Sequence, residues 1–138
     1  MAATLSAPHR RSDPVRTAVL LGELIDARSW ESLLEVFADV VVADTTAWGG
    51  TRLRLPSYAL AAGLGETLAD LTTRHDPLAA TVSGERTVTA SVTIGPRGRR
   101  PGWRMMTCYR CLVVPGPAGW LVTAVVAEPS AAVLSLGS

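Results

Sequence analysis

Hydrophobic and polar positions divide the chain into two halves with different periods. Over the first stretch apolar residues recur at helical spacing, with Val15, Val19, Gly22 and Asp26 on one flank and Arg16 and Glu23 toward solvent. Asp13 offers a cap oxygen and Pro14 suits a first helical position, so a helix is predicted from about Pro14 to Ala27. A second is predicted from near Ser29, with Leu33, Leu34 and Phe37 on one side. Val40, Val41 and Val42 make a short β run ending at Asp44, and Trp48, Gly49 and Gly50 a turn. Pro56 opens a third predicted helix that continues to about Leu71 through Gly63 and Gly65.

From His75 onward the period shortens. Leu78–Val82, Thr87–Ile94, Trp103–Val114 and Trp120–Ala127 are strand candidates separated by turn signals. Val88, Ala90, Val92 and Ile94 alternate with Thr87, Thr89, Ser91 and Thr93, so this strand has one buried and one polar face. Pro115-Gly116-Pro117-Ala118-Gly119 is a tight connection into Trp120, itself read as a packing anchor. Helices followed by an antiparallel sheet predict an α+β layered domain. The expected domain spans 14–128, between tails at 1–13 and 129–138, with no internal repeat and no second domain.

Composition narrows the function classes. At 138 residues, 48% hydrophobic and 18% charged, the chain is long and apolar enough for a real core. No apolar run approaches the roughly 18 residues of a membrane span, and the first residues lack a secretion signal's apolar block. The two cysteines do not amount to a disulfide framework, so a cytoplasmic protein is expected. A net charge of +1 disfavours nucleic acid as a partner. Arg97, Arg99, Arg100 and Arg104, interleaved with glycine and proline, read as a solvated loop, or else as a dock for an acidic carrier protein bearing a tethered substrate.

Every one of the 13 basic residues is arginine, and lysine, asparagine and glutamine are absent. Schiff-base chemistry and side-chain amide donors are therefore unavailable. There is no dinucleotide fingerprint and no cluster of metal-ligand residues, so neither metal nor redox cofactor is expected. Cys108-Tyr109-Arg110-Cys111 has redox spacing but falls within a strand, its sulfurs on opposite faces, and reads as two buried thiols.

Two residues stand out as candidate chemistry. Asp26 places a carboxylate on an apolar stripe above a glycine, which is costly unless the group is partnered. It is either a proton-transfer group or a helix-end aspartate paired with Arg28 or capping the next helix. His75, after Thr72, Thr73 and Arg74, is its natural partner, because imidazole is the side chain suited to proton transfer near neutrality. The competing reading is a core histidine. Trp103, Met105, Thr107 and Tyr109 share one strand face, and Trp48 and Tyr58 flank the expected mouth of a pocket.

The order and spacing of several fragments carry a resemblance. Asp26 at the helix end, Ser29-Trp30, Phe37-Ala38-Asp39, Thr73-Arg74-His75 and Gly119-Trp120 together resemble the SnoaL-like branch of the NTF2-like superfamily over about residues 15–128. The resemblance implies a curved sheet wrapped around helices as a cone, an enclosed pocket, and a homodimer paired through the outer sheet face. The Asp26 and His75 positions are similar to the acid–base pair of scytalone dehydratase. That pattern also has a histidine where this chain comes near Arg97, and an asparagine, of which this chain has none. Limonene-type epoxide hydrolases use strand aspartates, and no aspartate occurs between Arg86 and Ala127. Ketosteroid isomerase relatives have an aspartate near the end of the first strand, where this chain has Asp44, with Thr45 at the pocket-facing position. Tyr109 resembles the family's strand tyrosine, whose hydroxyl reaches the ligand.

The resemblance thus implies a cofactor-independent lyase, cyclase or isomerase acting on an apolar polyketide-like intermediate. Asp26 and His75 are its expected catalytic pair, and Thr45, Trp48, Tyr58, Trp103 and Tyr109 its expected substrate contacts. The alternative is a noncatalytic ligand-binding or dimerisation domain of the same fold.

Overall fold

A computed structural model describes residues 13–97 and 103–135. Helix α1 spans Pro14–Asp26, with the Asp13 side chain accepting the Val15 N–H at 2.9 Å. It buries Ala18, Leu21, Gly22 and Ile25, and the predicted flank of Val15, Val19 and Asp26 lies half-buried beside that stripe. Fully burying a leucine such as Leu21 contributes roughly 1.5–3 kcal/mol.

The predicted second helix is a short 3₁₀ turn, Glu31–Glu35, that buries Leu33 and leaves Leu34 exposed. Phe37 already begins strand β1, Phe37–Asp44, because the following β-branched residues favour extension. A 3₁₀ turn at Thr46–Trp48 and Gly49 at φ 82° reverse the chain. β2, Arg52–Pro56, then pairs antiparallel with β1, Leu53 opposite Ala43 and Leu55 opposite Val41. This strand was hidden by its brevity.

Helix α2 runs Ser57–Thr67, starting after Pro56 and stopping short of the predicted Leu71. Leu71–His75 instead forms β3, which pairs antiparallel with residues 92–96 and places His75 at its end. The expected strand Leu78–Val82 is interrupted by a 3₁₀ turn at Pro77–Ala79, where Asp76 accepts the Leu78 N–H at 3.0 Å. β4, Thr81–Gly84, follows. Then come β5 (Thr87–Pro96), β6 (Arg104–Gly116) and β7 (Gly119–Ser135).

The sheet order is β2-β1-β7-β6-β5-β3, with β4 also on β5. β1 and β7 run parallel, so the sheet is mixed rather than wholly antiparallel. β7 continues past the expected boundary at 128, pairing Ala131 with Thr107 and Val133 with Met105, so the segment expected as a tail extends the sheet. Of the expected N-terminal tail only Asp13 lies among the described residues. Arg99 and Arg100 lie outside them, while Arg97 donates to the Asp70 and Ala69 carbonyls and Arg104 opens β6.

The alternation in β5 is as expected: Val88, Ala90 and Val92 are buried and join Tyr109, Cys111, Val113 and Val122 in the core. Trp120 packs against that core. Cys111 is fully buried and Cys108 half-buried, on opposite faces of β6. No helix among the described residues is long and apolar enough to cross a membrane.

Candidate active site

The end of α1 and the end of β3 meet side by side. Their approach depends on Gly22, since a Cβ there would stand 2.7 Å from His75 Cγ and 2.8 Å from Cδ2. The imidazole therefore lies across the helix where any side chain would collide with it. One turn on, Asp26 faces the same ring.

Asp26 collects three donors from β3. Its Oδ1 accepts the Thr73 hydroxyl at 2.8 Å and stands 2.8 Å from His75 Nδ1. Its Oδ2 accepts the His75 backbone N–H at 2.8 Å. An ionised carboxylate only accepts, so Nδ1 carries the proton and neutral His75 keeps its lone pair on Nε2. The side chain of His75 is 10% exposed and that of Asp26 27%. The interior end of the pair is thus the imidazole, while the carboxylate keeps some contact with water.

Nε2 is buried and has no hydrogen-bond partner among the described residues. The same holds for the Tyr109 hydroxyl. The two rings meet edge to face, centroids 5.6 Å apart at 80°. Burial pushes the Tyr109 phenol well above its ordinary range, with Cys111 and Asp26 adding to the shift, so the phenol stays a neutral O–H donor. Burial alone pushes the Cys111 thiol up to about 12, which leaves it unreactive.

Both rings line a cavity of about 330 Å³ between α1, α2 and the sheet. This lies near the lower end of the ~300–1,000 Å³ typical of small-molecule sites. Its walls are mostly aliphatic, including Leu60, Leu64, Val92 and Ile94, with Phe37 beside them. Thr45 and Trp48 sit at the exposed rim, and the Trp48 indole N–H donates to the Glu128 carbonyl at 2.7 Å. The structure thus brings Asp26, His75, Tyr109, Thr45 and Trp48 together.

Two expected contacts are corrected. Tyr58 is 68% exposed and lies outside the cavity wall, because α2 turns Leu60, Leu64 and Leu68 inward and Tyr58 away. Trp103 is 41% exposed, precedes β6 and does not reach the cavity. Asp44 does line the cavity, yet its Oδ1 is taken by the Thr46 hydroxyl at 2.6 Å and N–H at 3.0 Å. The hydroxyl first, then that N–H and the Arg52 charge, hold its carboxyl below the usual range, making it a weak base. The alternative partner for Asp26 is also unused: Arg28 donates to the Leu71 carbonyl and stacks on Trp30, and no side chain caps the following turn.

Sequence reasoning gave no role to Thr73, although the period of a strand puts it on the same face as His75. The α2 and β7 walls, including Gly63 and Val125, carried no local signal at all. Among the described residues no group of three or more His, Cys, Asp or Glu could hold a metal ion.

No family model and no curated protein matches the chain. Solved structures do. A ketosteroid isomerase-like protein from Kribbella flavida superposes with a TM-score of 0.65 at 16% identity, covering 83% of this chain and 75% of that one. An LEH-like epoxide hydrolase of M. tuberculosis gives 0.64 at 12% identity, covering 86% and 83%. A polyketide cyclase-like protein from Xanthomonas campestris gives 0.61 at 13% identity, covering 85% and 90%. Among the described residues two helices pack on a curved, unclosed seven-stranded sheet, and this is the NTF2-like fold.

Proposed function

We propose that this protein is a cofactor-independent enzyme, a lyase, cyclase or isomerase that moves a proton on an apolar, polyketide-like carbonyl compound. The observation behind this reading is the buried Nε2 of His75, a residue of the cavity wall whose other ring nitrogen is held by Asp26, with no hydrogen-bond partner for Nε2 among the described residues. A proton acceptor so placed is desolvated and oriented before any substrate arrives.

In this mechanism Nε2 takes a proton from carbon or oxygen on the substrate. The resulting imidazolium donates through Nδ1 to the Asp26 carboxylate, which stabilises the new positive charge. The Tyr109 hydroxyl donates to the oxygen on which negative charge develops, a type of contact worth roughly 10²–10³ in rate. Nε2 then returns the proton at a second position, which completes an isomerisation or elimination, or follows ring closure in a cyclisation. Thr73 holds Asp26 in register. The isomerase-like and cyclase-like relatives in fold favour this class of chemistry.

Time-resolved mass spectrometry with a panel of polyketide-derived ketones and aldehydes tests the proposal. Conversion of at least one without added metal or nucleotide is expected. Return of every bound compound unchanged would make the protein a binder rather than an enzyme.

A further inference from the structure

The Asp26–His75 pair has two sides, and the helix beneath it separates them. Helix positions advance by about 100° per residue, so with Gly22 under the imidazole, Leu21 and Ile25 fall to one side of it and Val19, Glu23 and Asp26 to the other. Leu21 and Ile25 line the apolar cavity. Val19, Glu23 and Asp26 line a separate cleft of about 30 Å³. Among the described residues His75 is the one that lines both. The ring is thus a partition, with its Nδ1 on the Asp26 side.

The topology opens this second space. β3 and β4 share one edge of β5, β3 at residues 92–96 and β4 at 87–89. Between them, beside Ala90 and Ser91, the 3₁₀ turn Pro77–Ala79 stands in place of a strand, and the Asp76 N–H donates to the Ser91 carbonyl at 3.2 Å. Ala80 and Ala90 join the cleft wall. Glu23 and Asp76 are exposed members of that wall, so the cleft reaches solvent beside them. One Asp76 oxygen is taken by the Leu78 N–H. A buried water needs at least about 10–15 Å³ and roughly two to four polar partners. The cleft has that room, and its wall carries the Glu23, Asp26 and Asp76 carboxylates, but it is too small for an organic substrate.

We infer that this cleft is the proton port of the pair: water in it, rather than water in the cavity, carries protons between solvent and Asp26–His75. The inference rests on the proton-transfer reading of the pair and adds how the pair is reset. A proton taken at Nε2 from the cavity side makes the ring an imidazolium. The Nδ1 proton then passes through Asp26 to a cleft water. This leaves a neutral ring with its one proton on Nε2, an ionised carboxylate, and a hydronium whose proton goes to solvent or to Glu23. The reverse sequence restores the Nδ1–H form. Both directions run while the cavity is filled, so the charge of the pair follows the solvent without emptying the site.

Exchange of the His75 Nδ1 proton with water, measured by saturation transfer on protein labelled with nitrogen-15 histidine, tests this without any substrate. Folded wild type should exchange this proton faster than it unfolds. Ala80→Leu, which extends a side chain of the cleft wall, should slow the exchange at least about tenfold. Gly63→Leu fills the cavity from α2, where a Cβ would have nothing within 4 Å, and should change the rate less than about twofold. Should Ala80→Leu fail to fold, Val19→Met narrows the same cleft from α1 and carries the same expectation. Exchange no faster than unfolding in wild type, an unslowed rate in the folded cleft variant, or equal slowing by Gly63→Leu would each overturn the inference. The measurement is made on the resting protein, so the proton-transfer reading stands or falls separately, on the conversion of substrates by wild type.

Discussion

Replacing Gly22 with alanine separates a glycine that serves the active site from one that serves only flexibility. Helix propensity by itself predicts stabilisation of about 0.8–1.0 kcal/mol. The structure predicts the opposite sign, because the new methyl would stand 2.7 Å from His75 Cγ and 3.0 Å from its Cβ. Reaching an ordinary contact of 3.4 Å requires the ring to retreat by about 0.7 Å. Movement along the Nδ1–Oδ1 direction would stretch that 2.8 Å bond to about 3.5 Å, the limit of a hydrogen bond. Overpacking costs typically about 1–3 kcal/mol, and a weakened charge-assisted bond adds to it. The net should be a loss of about 1–2 kcal/mol, or roughly 3–8 °C in melting temperature for a domain this size. Calorimetry gives the stability, and nitrogen-15 NMR of the imidazole reports whether Nδ1 keeps its proton. Gly63→Ala is the control, since nothing lies within 4 Å of its Cβ. If Gly22→Ala melts at or above the wild-type temperature with an unchanged His75 spectrum, the packing argument is wrong.

Other outcomes follow from burial and exposure. Tyr109 should contribute no phenolate absorbance as the pH of folded protein rises through 10, whereas the unfolded chain shows it. The native state then binds more protons than the unfolded state above about pH 10, so stability should fall with rising pH there. Cys111, pushed up to about 12, acts in the same direction from the ordinary thiol range upward, and should resist alkylation until the protein unfolds. The outer face of β5, with half-buried Thr87, Thr89, Ser91 and Thr93, turns away from the core and should pair with a second copy. Light scattering is expected to give a dimer at micromolar concentration, and a stable monomer would refute that pairing.

Much of the helix–sheet order was readable because α1 and β5 each carry a long, consistent period and clear punctuation. Asp13-Pro14 marks the helix start at atomic level, and Thr87–Ile94 shows its two faces directly. β2 and β3 were not readable for a physical reason. Five-residue strands are formed by their partners, β1 and β5, rather than by their own pattern. The same dependence on context hid the far wall of the cavity. Asp26 was visible as a carboxylate on an apolar flank, but its three donors all come from residues 47 to 49 positions away in sequence. Tyr58 and Trp103 misled because aromatic character says nothing of facing, which for α2 and the start of β6 is decided by the neighbours that bury the opposite side.

The most direct test of the proton-transfer account is single-turnover rate on a converted substrate for His75→Ala, Asp26→Asn and the double variant. Each is to be checked for retained fold by circular dichroism. Loss of the base should lower the rate by roughly 10²–10⁴. Asp26→Asn should lower it by orders of magnitude and, unlike a structural loss alone, shift the pH profile, because the amide no longer stabilises the imidazolium. The double variant should lose little more than His75→Ala, since two groups acting as one unit are not additive. Near-wild-type turnover by folded His75→Ala would contradict the account.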